Sequence, residues 1–125
     1  MPLKEYPYSE LTKRIIGLIF EVFNELQFGY QERFYQRAFA YKLEHHAIPF
    51  KREQYGLVQI AGKPVGRYYT DFLVDNKVVV ELKVANEFYN SHVQQILSYL
   101  KAEKLRIGLL CLITPNGIKI KRLIK

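Results

Sequence analysis

The sequence predicts an α/β fold, an α+β sandwich in which a central sheet is flanked by helices. Three observations lead there. Apolar residues recur at helical spacing over residues 9–45, β-branched and aromatic runs broken by tight turns fill residues 50–84, and a helix-spaced segment then separates two further apolar runs. The expected order is α-α-β-β-β-α-β-β.

The first helix is expected to start near Ser9, a residue type that caps helix N-termini. Ile15, Ile19, Val22, Phe23 and Leu26 mark its buried face, and Gly29, free to adopt left-handed backbone, ends the run. A second helix is expected from about Gln31 to His45, with Phe34, Tyr35, Ala38 and Phe39 on one side and Pro49 closing it. His45 and His46 fall at its C-terminal end, where imidazole suits the helix dipole. Residues 50–60 read as a strand, 61–64 as a turn, 65–74 as a second strand, 75–77 as a tight turn and 78–84 as a third strand. Residues 91–102 form a helix with Val93, Ile96, Leu97 and Leu100 on its apolar side, 106–113 a buried strand, 115–117 a turn and 118–123 a last edge strand.

The 125 residues suit one domain spanning 1–125, and no repeat or Ser/Pro-rich linker divides them. A hydrophobic fraction of 49% supports a packed core and argues against intrinsic disorder. The net charge of +7 favours a polyanionic partner, nucleic acid before anionic membrane. Cys111 is the single cysteine, which excludes an internal disulfide, and its apolar neighbours make it a core residue. Met1–Tyr6 lack the apolar region of a signal peptide and no stretch is long and apolar enough to span a bilayer, so a cytoplasmic location is expected.

The informative segment is the hairpin of the second and third strands. A turn centred on Asn76 sets Val74 opposite Val78, Asp71 opposite Glu81 and Tyr69 opposite Lys83. Opposed residues share a face, with Cβ atoms about 4.5–5.5 Å apart. Lys83 joins Glu81 on that face by strand alternation. Phe72, Val74, Val78, Val80, Leu82 and Val84 make the other face, which is core and fixes the register. Two opposed carboxylates repel, so either Lys83 or a bound cation must compensate. A plain salt-bridge cluster is the alternative.

Asp71, nine intervening residues and then Glu81-Leu82-Lys83 resembles the signature of the PD-(D/E)XK nuclease superfamily, with Thr70 standing where the nominal Pro would be. Gly29-Tyr30-Gln31-Glu32-Arg33-Phe34-Tyr35, followed by Gln36, resembles the G-x-x-E-x-x-Y pattern of the GxxExxY family within it. The resemblance runs from about Ile15 to the C-terminus. It takes in residues 65–74 and 79–84, His92 with Gln95 and Tyr99-Leu100-Lys101, and Gly108-Leu109-Leu110.

That resemblance implies a restriction-endonuclease-like mixed sheet and a nuclease dependent on Mg²⁺ or Mn²⁺. Asp71 and Glu81 are the implied metal ligands, joined by the backbone carbonyl of Leu82. Lys83 is implied to position water or stabilise transition-state charge. A base role for Lys83 requires a depressed pKa. Glu32 corresponds to an acidic residue on the first core helix, although a first-turn acid is also what a helix dipole favours. Gln36 lies one turn on from it. Gln95 matches a glutamine able to contact substrate phosphate, with Tyr99 at i+4. Tyr69 and Tyr99 are expected at the substrate, tyrosine being both a stacking and a packing residue. Lys119, Lys121, Arg122 and Lys125 suit either a protective strand edge or a phosphate track. The implied partner is nucleic acid, DNA ahead of RNA, with no membrane and with a homodimer allowed. The alternative function is a non-catalytic module of this fold that binds nucleic acid or assembles with protein.

Overall fold

The computed structural model describes residues 7–125; Met1–Tyr6, on which the signal-peptide argument rests, lie outside them. Helices α1 (Ser9–Leu26) and α2 (Glu32–His45) are followed by strands β1 (Phe50–Ile60), β2 (Lys63–Val74) and β3 (Val78–Val84). Helix α3 (Asn90–Glu103) then precedes β4 (Ile107–Thr114) and β5 (Gly117–Ile124). The expected element order is the observed one. Among the described residues no helix is long and apolar enough to cross a membrane.

The five strands lie in the order β1-β2-β3-β4-β5. Neighbours are antiparallel except β3 and β4, which run parallel because α3 carries the chain back across the sheet. The sheet is therefore mixed. The apolar faces of α1 and α2 cover one side of it, through Ile15, Ile19, Phe39 and Leu43 against Phe72, Val80, Leu82 and Leu109. Helix α3 covers the other, where Ile96, Tyr99 and Leu100 meet Val79, Leu110 and Leu112. Both faces of β3 and β4 are thus buried, which is why their sequences read as nearly unbroken apolar runs. Gly108 permits the close approach of α3, since a Cβ there would lie 2.6 Å from Ile96 Cγ2.

Local differences from the sequence reading have physical causes. Ser9 is the first helical residue, not the cap; Tyr8 stands before it in left-handed backbone with no side-chain cap bond. Helix α1 ends at Leu26, and Gln27 turns the chain at a positive φ of 62°, before Gly29 is reached. Tyr35 supports this exit, because its hydroxyl donates to the Gln27 carbonyl and accepts from the Tyr30 N–H.

The larger difference concerns the β2–β3 hairpin. Its turn has Asp75 and Asn76 at positive φ, and the register is the expected one through Val74↔Val78, Leu73↔Val79 and Phe72↔Val80. Pairing ends there. Asp71 is not laddered to Glu81, nor Tyr69 to Lys83; Tyr69 pairs only with Tyr55 of β1. β2 continues with β1 while β3 continues with β4, so the sheet opens into a fork at Asp71 and Glu81. Opposite Asp71, Glu53 of β1 adopts left-handed backbone at φ 53°, and the β1–β2 pairing skips that step.

Candidate active site in the strand fork

A buried N–H that loses its ladder partner must find another acceptor. In the hairpin register the next partners of Leu82 and Val84 are Thr70 and Tyr68, which the fork removes. Carboxylates take their places. The Leu82 N–H donates to Asp71 Oδ2 at 3.2 Å, and the Val84 N–H donates to Glu32 Oε1 at 2.9 Å. In the other direction the Asp71 N–H donates to Glu81 Oε1 at 2.9 Å. Asp71 and Glu81 are therefore interlocked, each carboxylate held by backbone on or beside the other's position.

Helix α2 completes one wall. Glu32 is its first residue, and Gln36, one turn on, donates from Nε2 to Asp71 Oδ2 at 3.3 Å. Lys83 lies 3.6 Å from Glu81 Oε2 through its ammonium. On the α3 side, Gln95 Nε2 donates to the Tyr69 carbonyl at 3.0 Å. The structure thus brings Glu32, Gln36, Asp71, Glu81, Leu82 and Lys83 together, with Gln95 and Tyr69 at the margin. Tyr99 is not among them. It is 1% exposed and packed beneath β1, so this ring is a core contact and not the substrate contact expected from sequence. Burial, with Glu103 adding to it, raises its phenol above the usual range.

The electrostatics follow from the crowding. Glu81 is 3% exposed, and burial followed by the adjacent Asp71 carboxylate pushes its pKa up to about 8. Burial works to lower the Lys83 ammonium, yet Asp71, Glu81 and Glu32 together outweigh it and hold Lys83 above its usual range. In the metal-free protein Lys83 is accordingly held as a cation. Cys111, opposite Leu82 on β4, is fully buried and its thiol is raised by that burial, as a core cysteine requires.

Among the described residues no group of three or more His, Cys, Asp or Glu side chains is gathered to hold an ion unaided. The donor set is two adjoining carboxylates and neighbouring backbone carbonyls. That set fits a hard cation of the Mg²⁺ type, which commonly takes one or two carboxylates and leaves the rest of its shell to water and phosphate. It does not fit an all-protein cage.

Sequence reasoning did not find the fork or the left-handed Glu53 that faces it. Tyr68, Tyr69 and Thr70 all favour strands, so nothing in their types signals that β2 leaves β3.

Comparison with known proteins agrees with this architecture. The crystal structure of SSO0001 superposes with a TM-score of 0.60 at 20% identity, over 75% of this chain and 50% of that one. The chain therefore spans about half the length of SSO0001. An alkaline exonuclease from Laribacter hongkongensis superposes with a TM-score of 0.53 at 11% identity, over 97% of this chain and 72% of the exonuclease. At such identities the likeness is one of fold. No curated protein matches the sequence. Residues 9–122, from the first helix to the last strand, match the family described as the PD-(D/E)XK nuclease superfamily. The chain therefore belongs to the PD-(D/E)XK nuclease superfamily.

Proposed function

We propose that this chain is a divalent-cation-dependent nuclease of the GxxExxY kind, hydrolysing nucleic-acid phosphodiester bonds, in DNA before RNA, at the β2–β3 fork. The observation that carries the reading is the interlocked Asp71–Glu81 pair, whose buried second charge calls for a cation. Asp71 and Glu81 would hold Mg²⁺ or Mn²⁺ through carboxylate oxygens and Leu82 through its carbonyl. When bound, the cation supplies Lewis-acid polarisation of the phosphate and a more acidic water.

The chain's own residues then have separable tasks. Gln36 orients the Asp71 carboxylate. Lys83, protonated among three carboxylates, stabilises negative charge developing on the phosphate. Glu32 stands beside that ammonium and would orient the attacking water. Gln95 and Tyr69 border the approach of the substrate.

The test is cleavage of single-stranded, duplex and branched substrates with Mg²⁺ or Mn²⁺. Asp71→Asn and Glu81→Gln are expected to lose about a hundredfold or more, because even outer-shell changes at metal sites cost roughly 10–100-fold. Cleavage that survives both changes belongs to a contaminant or another site.

One observation favours a second reading, a non-catalytic module: among the described residues no group of three His, Cys, Asp or Glu side chains is placed to hold one ion. Calorimetry separates the two. Heat of Mn²⁺ binding that disappears in Asp71→Asn supports the nuclease, and no binding at millimolar Mn²⁺ supports the module.

A further inference from the structure

We propose that the outer face of the β1–β2 hairpin is a stacking platform for an unpaired nucleic-acid strand, built on Tyr55 and Tyr69 with Arg67. Its biological purpose rests on the nuclease reading; its geometry does not. Beyond the fork, β2 pairs only with β1, so these two strands project as a ribbon. One face of the ribbon is anchored. A Cβ at Gly56 would lie 3.2 Å from Ala102 Cβ of α3, and Tyr68, paired with Gly56, packs into the α3 core.

Among the described residues the other face is open to solvent. Tyr55 and Tyr69 are directly paired, which puts both rings on one side, 6.0 Å apart between centroids. They stay 46% and 50% exposed. The Arg67 guanidinium lies 4.5 Å from the Tyr55 ring centre, the geometry of a cation–π contact. Sequence-tolerant single-strand binding uses this composition: exposed aromatic faces for bases and a cation for the backbone. A duplex offers such rings only its ends, because its bases are already stacked. Glu53 and Glu103 border Tyr55 along the opposite, β1, edge, which directs the phosphates of a bound strand to the Arg67 side. On that side a groove of about 380 Å³ runs between β2 and α3, lined by Arg67, Tyr69, Ser91 and Gln95. It ends at the Gln95–Tyr69 contact, beside the fork, and so connects platform to site.

The experiment measures binding of a labelled single-stranded oligonucleotide by fluorescence anisotropy in EDTA, where no cleavage intervenes. A duplex of equal length is the comparison. Tyr55→Leu is expected to weaken single-strand binding about tenfold while leaving duplex binding unchanged. Arg67→Gln should weaken it too, with a shallower salt dependence. The chain contains no Trp, so Tyr55→Trp supplies a single reporter. It should keep the affinity and lose emission as bases stack on it. Unchanged affinity in Tyr55→Leu, an unquenched Trp at saturating strand, or no single-strand affinity in the parent protein each overturns the proposal. So does a Tyr55→Leu effect confined to sedimentation, which assigns the face to a second copy. The two readings fail separately. Strand binding with no Mn²⁺-dependent cleavage leaves the platform without the nuclease, and cleavage of single strands indifferent to Tyr55→Leu leaves the nuclease without the platform.

Discussion

Glu81 can ionise in the metal-free protein only against burial and a neighbouring negative charge, and this makes stability depend on pH. Its folded pKa of about 8 stands above the ordinary 4.5, so the folded state binds this proton more tightly than the unfolded chain does. Its contribution is complete below about pH 4.5 and is lost as pH rises to about 8. Each pH unit in that window removes at most about 1.4 kcal/mol. Urea melts in EDTA at several pH values should show the decline, and Glu81→Gln should flatten it; parallel curves for the two proteins would refute the assignment. The same proton must leave when a cation binds, so Mn²⁺ binding below pH 8 should release protons, read by calorimetry in buffers of different ionisation heat. Lys83 behaves oppositely, its charge held in place by acids on every side. Lys83→Arg should therefore retain part of the activity, and Lys83→Met should lose it at any pH; a Lys83→Met enzyme recovered simply by raising pH would restore the case for a base.

At the scale of elements, the G-x-x-E-x-x-Y segment has a mechanical explanation. Glu32 reaches from the first turn of α2 to an amide of β3, and Tyr35 ties the preceding loop through its hydroxyl. Tyr35→Phe leaves the Gln27 carbonyl and the Tyr30 N–H without this partner, and should cost about 1–3 kcal/mol in denaturant melts. The packing of α3 on β4 depends on Gly108 in a comparable way. Gly108→Ala should destabilise by about 1–3 kcal/mol, and Ile96→Ala, which removes the opposing Cγ2 methyl, should cost less in the Gly108→Ala background than alone in a double-mutant cycle. The helices and strands themselves were legible because burial is periodic. Alternation placed Phe72, Val74, Val78 and Val80 on one face, and turn residues at 75–77 set the register. Illegible was the point where the ladder stops. Its cause is side-chain carboxylates competing for backbone amides, and no periodicity records that competition. Tyr99 misled for a related reason, since a tyrosine at i+4 from Gln95 has the same spacing whether it faces solvent or core.

For the molecule as a whole, charge and architecture act together. The chain carries a net charge of +7 although Glu32, Asp71 and Glu81 gather at the fork, so cations outnumber acids elsewhere in the molecule. Nucleic-acid affinity should fall linearly on a logarithmic salt scale as counterions are released. Asp71→Asn, which removes a negative charge at the fork, should leave that slope nearly unchanged while abolishing cleavage. An equal loss of affinity and cleavage would mean that Asp71 is needed for substrate binding itself.

The carboxylate caps on Leu82 and Val84 also give the fork a built-in clock. An amide held by a side chain is released whenever that side chain turns elsewhere, without any strand having to separate. If Asp71 rotates toward a bound ion, the Leu82 amide loses its acceptor, while Val84, held by Glu32 from 52 residues away, does not. Ion binding would then register in hydrogen–deuterium exchange as faster labelling at Leu82 beside a still-slow Val84, two positions apart on one strand.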